Sequence, residues 1–424
     1  MAKDQNAFFT EKKPWSEVKD DLLACYLRPY FQKLLATNKP VRYIDCFAGR
    51  GEFDDGKPGS PLIALDAARR CIVDGKSGNT DISLHFIESR WSDDLQRVAT
   101  GHERACFPSI TFTVINGRFE RDAYAVVRGM AGKNVFLYID PYGIRDLGCD
   151  LITGFSDPSL RLNSIELLIN LNSFGFLRAG CQAFKVRYDN DEDLRDDEFD
   201  EEWDATSRSV DSLNAVAGGD YWQPVIDDFK RGQLDGRQAE IRFSALYREH
   251  LSQTYRYVLS MPIRRQERQR PKYRMVFASQ HPAGCILMAD NMMTRTDNLA
   301  IHIDSYKQAM LFDQDVEGEI TDPGTVQDQV EAITRELMRF TDVDEVIADF
   351  YAREGVVCKA SVVRQALAQL ELHNMIEVRR DPPNTDSGKP SLSFSSKGRK
   401  VEIRAKPWST DRLRRERNRD ERHL

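Results

Sequence analysis

Val41-Arg42-Tyr43-Ile44-Asp45-Cys46-Phe47-Ala48-Gly49-Arg50-Gly51 decides the reading of the chain. It begins as a short strand and runs into a D-x-F-x-G-x-G turn, where glycine lets the backbone pass close to a ligand that a Cβ would strike. The dinucleotide fingerprint differs, because its first glycine follows the strand at once and the next helix turns its amides to a diphosphate. Here the carboxylate of Asp45 precedes the turn, which suits a ligand with a cationic, amino-acid-like end. Ser60-Pro61 then opens a helix that continues through Leu65 and Ala68.

Further short apolar runs follow at intervals that leave room for helices. Ile82 to Ile87 ends at Glu88, Ile110 to Ile115 ends at Asn116-Gly117, Val135 to Ile139 ends at Asp140-Pro141-Tyr142-Gly143, and Ile165 to Leu171 makes a fifth strand. Strands alternating with helices predict an α/β fold with a parallel, Rossmann-like sheet, in which ligands sit at the carboxyl ends of the strands. Asp45, Glu88, Asn116 and Asp140 occupy those ends. Tyr255 to Met261 and Tyr273 to Ser279 read as a closing antiparallel pair, after an acidic and helical insertion at about 180–250. A helix at 15–35 precedes the first strand, and the sheet domain is expected over 36–310.

The chain has 424 residues, enough for two or three domains at roughly 150 residues each. No apolar run approaches the ~18 residues of a membrane span, and residues 1–13 lack the apolar stretch of a signal peptide, so a cytoplasmic, non-membrane protein is expected. The eight cysteines stand singly, with no CxxC, and the seven histidines form no HExxH, so no metal site is expected. The net charge of −7 hides segregation: 189–204 holds eleven acids and one arginine, whereas 263–274 holds six basic residues and one acid. Local basic stripes matter more than the total, because salt screens phosphate contacts to short range.

S-adenosylmethionine has the cationic, amino-acid-like end that an acid before a glycine turn would accept, and class I methyltransferases carry a turn of this form. On that reading Asp45, Phe47, Ala48, Gly49 and Gly51 surround the cofactor, Glu88 accepts its ribose hydroxyls, and Asn116 and Gly117 meet its adenine. The sequence also resembles the three-Cys-motif partner protein family, TcmP. The matching stretches are Lys13-Pro14-Trp15-Ser16 with Lys19, YIDCFAGRGEF, Gly59-Ser60-Pro61-Leu62, FIES, LYIDPYG, and Tyr273 to Ser279 with His281, Gly284 and Met288. They run from about residue 8 to 300. The resemblance implies a methyltransferase-like fold, a place for Lys19 in the cofactor site, and association with a radical-S-adenosylmethionine-like partner whose cysteines give the family its name. Family members usually carry Gly-Asp at the third strand end, and here Gly117 is followed by Arg118.

Asp140-Pro141-Tyr142-Gly143 also resembles the motif of methyltransferases that act on exocyclic base amines, and more nearly the Asp-Pro-Phe-Gly version of the tRNA guanine dimethyltransferases. By that analogy Asp140 orients the amine and takes its proton, Pro141 offers its carbonyl, and Tyr142 stacks on the base. Arg264, Arg265, Arg268, Arg270 and Lys272 would grip the phosphates of DNA or RNA. Toward the C-terminus, helices at 326–340, 343–351 and 361–374 precede strands at 375–379 and 392–394, an order resembling a winged helix over 323–398, followed by a basic tail at 399–424. Arg364, with Gln365 and Gln369, would be its exposed readers. Two other readings stay open. One is a cofactor-binding scaffold of the partner system that catalyses nothing alone, and the other is a DNA-binding regulator.

Overall fold

The apolar run from Val41 to Ile44 becomes β1 (Val41–Asp45), an interior strand of the sheet with both of its neighbours parallel to it. The computed structural model describes residues 9–12, 14–74, 81–105, 110–191, 194, 209–263, 273–307 and 323–406. They belong to two compact units, 1–316 and 317–424.

In the first unit α1 (Pro14–Ala36) precedes β1, and α2 (Ser60–Asp74), β2 (Ile82–Glu88), α3 (Ser92–Ala105), β3 (Thr111–Asn116), α4 (Phe119–Arg128) and β4 (Asn134–Ile139) follow. Next come α5 (Cys149–Gly154), β5 (Ser164–Leu171), α6 (Ser173–Ala183), α7 (Val210–Ala217), α8 (Gln223–Lys230), α9 (Gly236–Ser252), β6 (Tyr257–Ile263), β7 (Tyr273–Ser279) and α10 (Pro282–Lys307). The sheet order is β3-β2-β1-β4-β5-β7-β6, with β1 to β5 parallel and β7 antiparallel to both neighbours. This is a Rossmann-like α/β fold, as the alternating runs predict. The helices α6 to α9 lie between β5 and β6, and most of the acidic run of the expected insertion, 192–193 and 195–204, lies outside the described residues.

Alternation along each strand sorts the side chains between two faces. On one face Tyr43 stacks on Phe136, and α1 lays Tyr26 against Phe136 and Phe277. Buried beneath α1, Glu166 of β5 accepts a short hydrogen bond from the Tyr26 hydroxyl. On the other face Ile44, Leu137, Ile139, Leu167 and Ile169 join a core that includes Trp222, Phe243 and Tyr247 of the insertion. The insertion is tied to the sheet by a buried ion pair, in which Arg274 of β7 donates to both oxygens of Glu240 at 2.6 and 2.7 Å. Ser173 and Ser244 complete that carboxylate, as a buried charge requires.

The second unit contains α11 (Pro323–Arg335), β8 (Thr341–Asp342), α12 (Val343–Glu354), α13 (Ala360–Leu372), β9 (Ile376–Asp381) and β10 (Lys400–Ala405). Its sheet is antiparallel in the order β8-β10-β9. Two expectations are corrected here. The last strand is 400–405, where Val401 and Ile403 alternate inward between charged neighbours, and not 392–394, where Leu392 is 78% exposed and no ladder forms. The tail assigned from 399 therefore begins inside the sheet, and residues 407–424 lie outside the described residues. The first helix of this unit ends at Arg335 rather than continuing to Phe340.

Among the described residues no helix is long and apolar enough to cross a membrane.

Candidate functional site

The turn after β1 has the backbone that its glycines allow. Gly49 and Gly51 lie at φ +63° and +86°, in the left-handed region where a Cβ is strained. A Cβ on Gly49 would also come within 3.3 Å of the Phe9 ring. Beyond the turn, Glu52 and Pro58 bridge a small hairpin, and Gly59 donates to the Gly51 carbonyl at 2.8 Å before α2 starts. Ala48 is buried, and Phe47 packs on Phe119 behind the turn. Of the turn residues assigned to cofactor binding, Phe47 therefore acts from the core side.

Three carboxylates and two lysines meet on the α1 face at the carboxyl end of the sheet. Asp45 is fully buried and accepts from the Phe47 amide and the Tyr43 hydroxyl, both at 3.3 Å, and from the Ser60 hydroxyl. Burial pushes its carboxyl up to about 7; these hydrogen bonds pull against the shift, and the Asp140 charge adds to it. Asp20 of α1 is pushed up to about 6 by burial, although Lys12 lies 2.5 Å away and Lys19 also lowers it. Lys19 reaches both oxygens of Asp140 at 2.8 Å, and its ammonium lies 5.1 Å from the centre of the Tyr273 ring. Asp140 further accepts from Asn170 Nδ2 at 2.6 Å and from the Tyr138 hydroxyl at 3.2 Å. A carboxylate has about four acceptor positions, and those of Asp140 are all taken. Among the described residues neither Asp45 nor Glu88 is paired with a cationic side chain.

Glu88 ends β2 as expected, but its partners are backbone amides. Gly49 donates to Oε2 at 2.8 Å, while Arg90 and Trp91 donate to Oε1 at 2.7 and 3.3 Å. One acceptor position remains, on Oε2, so this carboxylate has room for one ribose hydroxyl rather than the two expected. At the end of β3, Asn116 is exposed and Gly117 is buried. Asp122 of α4 lies beside this strand end, accepting the Arg118 amide at 2.7 Å where a Gly117 Cβ would clash. Arg121 holds that carboxyl below the usual range.

Pro141 is buried and Tyr142 is 48% exposed. The Tyr142 ring lies 6.3 Å from that of Trp91, and Trp91 meets Phe9 edge-on at 4.9 Å. Phe9 and Tyr142 therefore both roof the glycine turn. Lys12 fastens the N-terminal segment by donating to the Pro58 carbonyl at 2.7 Å, and Asp54 donates to the Phe9 carbonyl at 2.8 Å. Phe9, Lys12, Asp20, Trp91 and Asn170 were not predicted as site residues. Only Trp91, three positions after a strand-end acid, carried a local signal.

Arg264, Arg265, Arg268, Arg270 and Lys272 lie outside the described residues. Arg364 is not a free reader. Its Nε donates to the Phe394 carbonyl at 3.2 Å, which ties α13 to the loop before β10. Ser361, Gln365, Ala368, Gln369 and Leu372 form the exposed face of α13.

Neither a protein-family model nor a curated protein matches this chain.

Proposed function

We propose that the chain is an S-adenosylmethionine-dependent methyltransferase acting on an exocyclic amine of a nucleobase in DNA or RNA. The observation that carries this reading is the charge of the strand-end row. Asp20, Asp45, Asp140 and Glu88 surround a positive-φ glycine turn, and among the described residues Asp20 and Asp140 are paired with Lys12 and Lys19 while Asp45 and Glu88 have no cationic side chain paired with them. A ligand with a cationic end relieves that excess. The sheet supports the class I form of the fold, because β7 enters antiparallel between β5 and β6 in an otherwise parallel, doubly wound order.

Bound S-adenosylmethionine would supply an electrophilic methyl group. Asp45 would face its cationic end, Glu88 Oε2 would accept one ribose hydroxyl, and Asn116 with Gly117 would border the adenine. Tyr142, exposed at the end of β4, offers a ring on which the substrate base can stack, so that positioning supplies much of the rate. A base within a duplex would first have to be flipped out. The second unit supports the polymer reading, because its three helices followed by an antiparallel hairpin have the order of a winged helix. Association with a three-Cys-motif radical-type partner follows from the sequence resemblance.

The test is transfer of labelled methyl to mixed cellular DNA and RNA. Asp45→Ala is expected to abolish cofactor binding, and Asp140→Ala to spare binding and abolish transfer. Equal transfer by wild type and both variants would sink the proposal. The filled acceptor positions of Asp140 favour one second reading, a cofactor-binding scaffold that needs its partner. Cofactor binding without transfer until a radical-type iron–sulfur protein is added would support that reading.

A further inference from the structure

Asn170 follows Ile169, the last β5 residue in register with β4, and stands beside Asp140 at the end of the neighbouring strand. It is 3% exposed. Its Nδ2 donates to Asp140 Oδ1, and its Oδ1 has no hydrogen-bond partner. Rotating the amide would not cure this, because the amide oxygen would then face the Asp140 carboxylate and the donor would be lost. The orientation of the orphan oxygen is therefore set by Asp140, which Lys19 and Tyr138 hold in turn. Buried acceptors are nearly always satisfied, since desolvating one without a partner costs free energy.

We propose that Asn170 Oδ1 is the acceptor that takes an N–H of the methyl-accepting group, with the Lys19–Asp140–Tyr138 cluster serving to aim it. The inference rests on the methyltransferase reading and reassigns the amine contact within it. Asp140 has no free acceptor position for an amine. Asn170 has one, on the sheet face that carries Tyr138 and Asp140. An amine that donates one hydrogen to an amide oxygen keeps its lone pair for the incoming methyl group: the N–C bond would form as the sulfur–methyl bond breaks, the sulfur would keep that electron pair, and the surplus proton of the methylated amine would pass to water, since the amide cannot take it and the Asp140 acceptor positions are filled. The ligand class follows from this: the acceptor must carry at least one N–H, so an exocyclic primary amine fits and a ring nitrogen without hydrogen does not.

The experiment compares wild type, Asn170→Leu, Asn170→Ala and Asn170→Asp. Its readouts are thermal midpoint, S-adenosylmethionine affinity, and methyl transfer to the polymer that wild type labels. Asn170→Leu also removes the donor to Asp140 Oδ1, so a small fall in midpoint is expected with cofactor affinity kept, while kcat falls by about 100-fold, the scale seen when one aimed hydrogen bond is removed from a reacting group. Asn170→Ala should behave alike, and it replaces the leucine variant if that fails to fold. Asn170→Asp keeps an acceptor oxygen but turns its other oxygen to the Asp140 carboxylate, so it should lose transfer at neutral pH and regain part of it at lower pH, where the carboxylate pair takes up a proton. Transfer by Asn170→Leu or Asn170→Ala within about threefold of wild type, or loss of cofactor affinity in step with transfer, overturns the assignment while leaving the methyltransferase reading intact. Absence of transfer by wild type removes that reading and this inference with it.

Discussion

Replacing Asp45 by asparagine tests the central charge of the site without any substrate. Burial raises the folded-state carboxyl from 3.8 to about 7. Between those values the folded protein holds a proton that the unfolded chain has released, so this group makes stability fall as pH rises from about 4 to 7 and leaves it level above. Asparagine does not titrate. The stability of Asp45→Asn relative to wild type should therefore climb by about 1.4 kcal/mol per pH unit within that window, or about 3 kcal/mol between roughly pH 5 and pH 8. The amide also presents N–H to one of the two donors that faced oxygen, the Tyr43 hydroxyl or the Phe47 amide. That adds a cost of about 1 kcal/mol or more, but the cost is the same at every pH.

The assay is calorimetric melting of both proteins across that range. At roughly 2 °C per kcal/mol for a unit of this size, the difference in midpoint should change by about 6 °C. Contributions from Asp20 and Glu166, also raised by burial, largely cancel in the difference. Parallel curves, with a midpoint difference independent of pH, would refute the claim that Asp45 is an uncompensated buried acid. In the proposed function the same group faces the cofactor. Wild-type affinity for S-adenosylmethionine should tighten with pH up to about 7 and then level, and the asparagine variant should bind weakly and without that slope.

Three other outcomes follow from the geometry. Gly49→Ala forces a side chain into a positive-φ position against Phe9, so it should cost about 1–2 kcal/mol of stability and weaken cofactor binding, read by melting and titration calorimetry. Arg274→Met leaves Glu240 charged and buried, so denaturant titration should show a loss of about 3–5 kcal/mol, and Arg274→Met with Glu240→Leu should recover much of it. Gln365→Ala with Gln369→Ala should weaken binding to the labelled polymer. Arg364→Ala should instead lower the stability of the second unit by about 1 kcal/mol, as its guanidinium donates to the Phe394 carbonyl and lies 4.0 Å from Asp344.

The parallel strands were legible because each is a short apolar run closed by a polar residue, and because such sheets place their ligands at those closures. Asp45, Glu88 and Asp140 stand where that rule puts them. Their partners were not legible. Lys19 meets Asp140 across 121 positions, and nothing in the helical spacing of α1 says that its polar side covers the strand ends. Phe9 reaches the glycine turn through a backbone hydrogen bond to Asp54, a contact without a side-chain signature. Strand β10 was masked by its composition, because Lys400, Glu402 and Arg404 read as a charged tail while Val401 and Ile403 carry the period of two. The amides on Glu88 were invisible for a related reason, since backbone donors leave no trace in residue identity.

Those hidden partners decide the sign of the ligand. A glycine turn leading into a helix ordinarily favours phosphate, whose charge complements the free amides at the helix start. Here Ser60, the first residue of α2, gives its hydroxyl to Asp45, so the protein's own carboxylate already occupies that end. The Gly49 amide, which could face a phosphate, is given to Glu88. Near the surface, a phosphate oxygen about 4 Å from one of these carboxylates would meet repulsion of about 4 kcal/mol, and a sulfonium or ammonium would gain as much. Lys12 and Lys19 do not reverse this, because each is already held by an aspartate. The sequence shows a glycine turn that either class of ligand could use, and the hydrogen bonds around it favour the cationic ligand proposed above.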